Sequence, residues 1–369
     1  MLKNHFVELN RFLSLVNNSP EMTFNYSLCT LVLFCLLFSN CETEIKRESE
    51  TNTTSSNSAN KKKETSKQKI TVPKFNADSA FFFVKKQVDF GPRIPNTKEH
   101  ISCADWLEKK LTNYGFNVLL QKGKVTAFNG AKLNIVNIIG RYNLSSSERI
   151  MLCAHWDTRP FADRDSIRMN LPIDGANDGA SGVGVLLEIA RNIQISNPTI
   201  GIDIIFFDAE DYGAPIMSGQ FFDLNAMNDT WCLGSQYFCK NPIIENYRPK
   251  FGILLDMVGA KNATFPKEGI SRQFAHHQLN KVWKKAQKLG YGNYFVNRLA
   301  PPITDDHTYI NQLCRIPTID IIHYAPRTTN GRFDFGKFHH THMDNIDNIH
   351  KPTLEAVGQT VLHVIYENT

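Results

Sequence analysis

The chain has 369 residues and eight cysteines, but no CxxC pair. Cys29, Cys35 and Cys41 belong to an N-terminal apolar segment and its end. Cys103, Cys153, Cys232, Cys239 and Cys314 are widely spaced and odd in number. That pattern excludes a cysteine zinc site and a disulfide framework, and points to buried small hydrophobes. Its N-terminal apolar run falls well short of the roughly 20 residues that a membrane helix needs. Nor is there a basic stripe interleaved with aromatics, so no nucleic-acid partner is expected. Net charge is only +5, and part of the excess sits in "ANKKKETSKQK", which reads as a solvated linker. Internal repeats are also lacking, which excludes solenoids and propellers.

With 42% hydrophobic and 21% charged residues, the composition is that of a globular protein. The run "LCTLVLFCLLF", Leu28–Phe38, suits the apolar region of an export signal, with Lys3 and Arg11 upstream. It leads into "LFSNC", ending at Cys41, and then into a polar stretch reaching about Ile70. This arrangement resembles a bacterial lipoprotein signal. Residues 1–41 are expected to be the signal segment and 42–70 a disordered tether, leaving 71–369 for the folded domain. An exported protein follows, tied to a membrane only through a lipid at Cys41, and otherwise a monomer.

From Phe75 onward, strand and helix patterns alternate. "ADWLEKKLTNYGF" has helical apolar spacing and stops at Gly115. "KLNIVNIIGRY", "RIMLCAH", "GIDIIFFDA", "FGILLDMVG" and "RIPTIDIIHY" read as strands. "ASGVGVLLEIARNI", starting near Ala180, "AHHQLNKVWKKAQKLG" and "PTLEAVGQTVLHVIYEN" read as helices. The alternation predicts a single α/β domain with a mostly parallel sheet and helices on both faces. Active sites of such sheets gather at the carboxyl ends of the strands.

The acids and imidazoles fall where that rule wants them. His155 and Asp157 follow one strand, Asp208, Glu210 and Asp211 another, and Asp256 a third. Asp178 sits in the glycine-rich turn "DGANDGASG", Asp305 and Asp306 open "DDHTYINQL", and His339, His340 and His342 share a late loop. Carboxylates this close repel one another unless they are protonated or hold a cation. Mixed carboxylate and imidazole ligands suit zinc, and a neighbouring free carboxylate can then move protons. Adjacent strand residues face opposite ways, so Glu210 and Asp211 converge only where the strand breaks, at "AEDYG".

Five motifs in order, "AHWD", "DGANDGASG", "FFDAEDYG", "LLDMVG" and "HTHMDN", resemble the zinc exopeptidase family of bacterial aminopeptidases and glutaminyl cyclases. "LLDMVGAKNATFP", "TDDHTYI" and "WCLGSQY" are similar to stretches of the cyclases. The resemblance implies a zinc site of Asp178, Asp211 and His340, with Glu210 as acid–base residue and Asp256 and Asp305 in a carboxylate network around it. In dinuclear members the counterparts of His155 and Asp256 hold a second metal, bridged by the counterpart of Asp178, so the count stays open between one and two. The ligand at Asp211 is Glu in the animal cyclases, the position of His339 is usually Trp, and a late-strand His is Asp320 here. His339 and Asp320 are therefore expected to shape the substrate pocket, and Tyr212, by its place beside the acids, to form part of its wall. Cyclisation of N-terminal glutamine in peptides and proteins, with release of ammonia, is the implied activity. A zinc aminopeptidase, or an inactive peptide-binding lipoprotein on the same fold, are the alternatives.

Other polar residues have plainer readings. Asp157 is expected to orient His155. Asp208 suits a turn cap and Asp306 a helix start. His276 and His277 lie on a helix without partners, whereas His342, two residues from His340, competes with it as ligand on spacing alone.

Overall fold

The computed structural model describes residues 71–215 and 224–368. The expected signal segment, tether and Cys41 lie outside them. Helix α1 spans Ala77–Val88 and opens on Asn76, whose side chain accepts from Ser79 N. Helix α2 spans Lys98–Asn113, is capped by Thr97, and gives way at Gly115, whose φ of +81° favours glycine. Strand β1, Asn117–Thr126, pairs antiparallel with β2, Lys132–Tyr142. β1 escaped the sequence reading because its polar, half-exposed residues make no apolar run.

The remaining sheet strands are β3, Arg149–His155, β4, Gly201–Phe207, and β5, Gly252–Asp256. A small parallel pair, β6 at Phe265–Lys267 and β7 at Phe295–Leu299, stands apart, and β8, Thr318–Ile322, completes the main sheet. The order is β1-β2-β4-β3-β5-β8. β4, β3, β5 and β8 run parallel, while β2 meets β4 antiparallel. The expected mostly parallel sheet is present, with an antiparallel hairpin on one edge.

Both faces are covered. Ile150, Leu152, Ile202, Ile204, Ile253 and Ile319 join a large cluster with α1, α2, helix α3 (Ala180–Ser196), helix α6 (His276–Lys288) and helix α7 (Lys351–Tyr366). Their strand neighbours Met151, Cys153, Ile205, Phe207 and Leu254 face the other way, toward Phe238 of helix α4 (Leu233–Lys240) and Ile310. This alternation follows from the two-residue period of a strand. On this second face Cys239 of α4 is bonded to Cys314, across a separation of 75 residues. The expectation of unpaired cysteines is thereby corrected for these two, whereas Cys103, Cys153 and Cys232 are free and buried. No helix among the described residues is long and apolar enough to cross a membrane.

Candidate active site

At the carboxyl ends of β3, β4 and β5 lies a cavity of about 1090 Å³. Asp178, Glu210, Asp211, Asp256, Asp305 and His340 line it, along with Phe128, Phe161, Trp231, Tyr324 and Phe335. The two adjacent acids converge as expected. β4 ends at Phe207, and Ala209 takes a left-handed φ of +49°, which turns Glu210 and Asp211 out of strand alternation. Such a conformation costs on the order of 1–3 kcal/mol outside glycine and persists only when its surroundings hold it. Asp157 supplies that hold: its Oδ1 accepts from Glu210 N at 3.0 Å and its Oδ2 from Asp211 N at 3.2 Å. Its contact with His155 Nδ1, at 3.5 Å, is the looser one. Asp157 thus orders the break in β4 more than it orients His155. Asp208, read as a turn cap, accepts from Val136 N and Ala209 N and pairs with buried His100.

Asp178 is delivered by its turn. Gly175 and Gly179 have φ of +57° and +94°, and a Cβ on Gly179 would lie 2.7 Å from Asp157 O. Asp344 of "HTHMDN" accepts from Asn177 N at 2.7 Å and Asp178 N at 2.9 Å. Burial, with Asp178 adding to it, pushes the Asp344 carboxyl up to about 8. His340, at a φ of +57°, points Nε2 at Asp211 Oδ1 (3.3 Å) and Asp178 Oδ2 (3.9 Å). Its other nitrogen, Nδ1, lies 3.1 Å from Asp163. Carboxylates placed behind an imidazole in this way fix the tautomer and aim the lone pair. Trp231 stacks on the ring at 5.6 Å.

Both oxygens of Asp211 are buried without a hydrogen-bond donor. A carboxylate left so, facing an aimed imidazole and a second carboxylate, fits a divalent cation with mixed oxygen and nitrogen ligands. Asp178, His339 and His340 also bring donor atoms within 4.8 Å of one another. His339 is half-exposed, however, and its Nδ1 meets Arg164 Nη1 at 2.5 Å. Burial, then His340 and Arg164, hold its pKa well below the usual value. A guanidinium on that nitrogen leaves Asp211 the better third ligand, and His339 remains in the pocket wall.

His155, Asp178 and Asp256 form the second group. His155 Nε2 lies 3.1 Å from a carboxylate oxygen of each acid. Burial opposes charge on His155, but Asp157, Asp178 and Asp256 outweigh it and raise its pKa well above the ordinary value. Asp256 is pushed up to about 7, by burial first. Glu210 reaches the cavity between these groups. Burial drives its pKa well up against the pull of His155, and Asp211, Asp305 and Asp306 add to the rise. Its Oε1 accepts from the Cys232 thiol at 3.2 Å.

Several expected residues fall elsewhere. Asp320 does not line the cavity; it is fully buried behind Asp305, because residue 320 of β8 faces the second side of the sheet. Tyr212 is half-buried against Ala127, Leu133 and Ile135, away from the cavity lining, because the chain has turned between it and Glu210. Asp305, and not Asp306, caps the short helix Asp306–Tyr309, its Oδ1 accepting from Asp306 N at 2.5 Å. His342 pairs with Asp165 at 2.7 Å, which removes it as a competitor for the ligand position. His276 and His277 sit exposed on α6. Sequence reasoning missed Asp163, Asp344 and Arg159. Arg159 is fully buried, donates to Asp211 O and Gly213 O, and pairs with Asp163.

These features define a class. The chain belongs to Peptidase family M28, whose profile matches residues 137–365. It is similar to the glutaminyl cyclase of Bacteroides thetaiotaomicron solved with N-acetylhistamine, at 52% identity and a TM-score of 0.76, over 81% of this chain and 100% of that one. A Zn-dependent exopeptidase from Parabacteroides distasonis is 51% identical, with a TM-score of 0.76, over 80% of this chain and 99% of that one. Aminopeptidase YwaD of Bacillus subtilis is 26% identical over 253 residues, 66% of this chain. The chain spans 46% of the length of that curated relative. The relationship drawn from the five motifs therefore holds, and zinc is the metal its neighbours imply.

Proposed function

We propose that the protein is a zinc-dependent glutaminyl-peptide cyclotransferase, which turns N-terminal glutamine of peptides and proteins into pyroglutamate and releases ammonia. The observation that carries this reading is the second acid: Asp305 stands with Glu210 in the cavity wall, their polar atoms within 4.8 Å. A peptidase that activates water has no need of it. Likeness to a solved cyclase over the whole described domain supports the same choice.

Asp178, Asp211 and His340 would hold one zinc, with Asp163 behind His340. Zinc bound there supplies Lewis-acid polarisation of the glutamine γ-carbonyl. Glu210 takes a proton from the attacking α-amine and returns it to the departing ammonia, a shuttle worth about 100- to 10,000-fold in typical enzymes. Amine and carbonyl belong to one residue, so folding the side chain back removes an entropic cost. Asp305 stands beside Glu210 and Asp256 lines the same cavity, and the aromatic walls leave room for residues that follow the glutamine.

Export is part of the proposal, with Cys41 as the lipidated residue and the folded domain acting as a monomer. The Cys239–Cys314 bond suits an oxidising compartment. Mass spectrometry of a glutamine-initiated peptide after incubation tests the activity. Loss of ammonia from the intact peptide is expected. Loss of a whole residue would move the assignment to an aminopeptidase, and no change would leave a peptide-binding protein.

A further inference from the structure

Two aspartates are buried in the middle of sheet strands, and only one of them is neutralised. Asp203 of β4 meets Arg149 at 2.6 Å and Arg141 at 3.1 Å. Asp320 of β8 has no lysine or arginine within 4.0 Å among the described residues, and neither of its oxygens has a hydrogen-bond donor. It is fully buried, as is His307, and Asp305 is 4% exposed. Asp305 and Asp320 meet side chain to side chain, and each with His307 offers an atom within 4.8 Å of the others. His307 Nδ1 lies 3.8 Å from Asp320 Oδ2, and its Nε2 lies 3.1 Å from Glu268 Oε1. Glu268 also accepts from Ile270 N at 2.7 Å and from Ser271 N at the start of helix α5, Gly269–Phe274.

Those contacts divide the charge. Burial alone would keep Glu268 neutral, but His307 and the Ser271 donors outweigh it and hold its carboxyl below the usual range. Glu268 therefore stays ionised, and the Nε2–H of His307 points at it. Burial, then Asp305, Glu268 and Asp256, push the Asp320 carboxyl well above its usual range. The other groups facing the pair are Asp306 on the same turn, the buried Cys153 thiol of β3, Glu210 and the Cys232 thiol beside Asp305, and His155, which pulls the Asp305 carboxyl the other way. Two carboxylates in contact, away from water, cannot both ionise. Asp305 Oδ1 accepts from Asp306 N, but Asp305 Oδ2 and both oxygens of Asp320 have no donor except what the other carboxyl could supply, so a hydrogen between the two carboxyls completes them.

We propose that Asp305 and Asp320 share one proton, and that this pair, backed by His307 and Glu268, is a positioning element that presents Asp305 to Glu210 in a fixed orientation. Only an O–H bond is exchanged: the proton passes between a carboxylate oxygen of Asp305 and one of Asp320, and the pair keeps a charge of −1. Asp320 is then a positioning residue, not a pocket residue. The kinetic consequence rests on the cyclase reading, whereas the shared proton does not.

The test uses the zinc-loaded full chain and Asp320→Asn, which keeps the shape and removes the second acid. Infrared difference spectra at neutral pH should show the carbonyl stretch of a protonated carboxyl, lost in Asp320→Asn and likewise in Asp305→Asn. Ammonia release from a glutamine-initiated peptide should slow about 10- to 100-fold in kcat for Asp320→Asn, as outer partners of reactive groups commonly do. KM and zinc content should stay at parent values, which a merely structural role would not guarantee. An unchanged band together with an unchanged kcat overturns the proposal while leaving the cyclase reading intact. If the parent releases no ammonia but the band behaves as stated, the cyclase reading falls and the shared proton stands. A second zinc per chain, lost in Asp320→Asn with no protonated-carboxyl band in the parent, would mean that the group binds a cation and would also overturn it. Should Asp320→Asn fail to fold, His307→Gln must shift the same band, and an unshifted band refutes the chain.

Discussion

Replacing Asp163 by asparagine exchanges one oxygen for nitrogen behind His340. In the parent, Asp163 faces His340 Nδ1 at 3.1 Å and takes Arg159 Nε at 2.7 Å and Nη2 at 3.0 Å. Burial favours the neutral acid, but His340 and Arg159 prevail and hold its carboxyl below the ordinary range. The ionised form fixes the proton on Nδ1, so that Nε2 turns its lone pair toward Asp211 and Asp178. An amide can satisfy His340 or the Arg159 fork with its oxygen, but then turns N–H groups on the other. Loss of such an outer carboxylate typically costs 10- to 100-fold in metal affinity, or about 1.4–2.7 kcal/mol. Titration against a chromophoric chelator reads this directly. Asp165→Asn is the control, because Asp165 bears the same relation to His342, at 2.7 Å, but lies outside the cavity lining. It should bind zinc as the parent does. If Asp165→Asn weakens zinc while Asp163→Asn does not, the ligand is His342 and the register of the loop is wrong.

Glu210→Gln should keep its zinc and lose turnover by about 100- to 10,000-fold; a rate within a few-fold of the parent's would transfer the proton-moving role to Asp305. Gly179→Ala places a Cβ 2.7 Å from Asp157 O and 3.0 Å from His155 Cε1 at a φ of +94°, so denaturant unfolding should show a loss of about 1–3 kcal/mol. An unchanged midpoint would show that the turn yields. The metal-stripped protein should melt at lower temperature as pH rises from 5 to 8, and zinc should remove most of that slope. Asp256 and Asp344 have folded values near 7 and 8, above the ordinary carboxyl value, so the folded state holds protons that the unfolded chain has released. His155 and His340 are also raised, so their share is present below the unfolded value and fades as pH climbs, which gives the same sign. Stability that increases toward pH 8 would contradict this.

The parallel strands and the acids at their ends were legible because strands buried on both faces read as unbroken apolar runs, and a carboxylate at the end of such a run stands out. The break at Ala209 was legible for the same reason, since Glu210 and Asp211 could not otherwise share a cavity. β1 was not, because Lys122 and Lys124 interrupt a half-exposed edge strand with no apolar period. Asp163, Asp344 and Arg159 sit in loops, where no period exists, and their roles arise only when distant loops meet: Asp163 and His340 are far apart in sequence but 3.1 Å apart in space. Asp344 carried a signal, its place within "HTHMDN", but nothing in the motif distinguishes a ligand from a residue that holds a ligand's backbone. Nor could spacing pair Cys239 with Cys314.

Buried carboxylates cost several kcal/mol each unless something compensates them, against a total stability of about 5–15 kcal/mol. The chain meets that cost in three ways along one sheet. Asp203, far from the cavity, has two arginines. Asp211, at the cavity, has no donor on either oxygen but faces Asp178 and an aimed His340, an arrangement that a cation completes. Asp305, in the cavity wall, and Asp320, buried behind it, have no arginine or lysine partner and only His307 nearby, 3.8 Å from Asp320, and on the proposal above a shared proton supplies the rest. Glu210 lies between the last two, adjacent in sequence to Asp211 and within 4.8 Å of Asp305. On the proposed reading, a carboxylate so placed would face a divalent cation on one side and the proton-sharing pair on the other, and beyond the Cys232 thiol on its Oε1 its proton partner would be the substrate. An α-amine entering the cavity offers that missing proton. On the proposed reading, the adjacent acids at the mouth of β4 are therefore built for different partners, one for metal and one for the reacting amine. Burial and the acids behind it raise the pKa of Glu210 while His155 pulls the other way, which suits a group that takes a proton from the amine and gives one to the leaving ammonia.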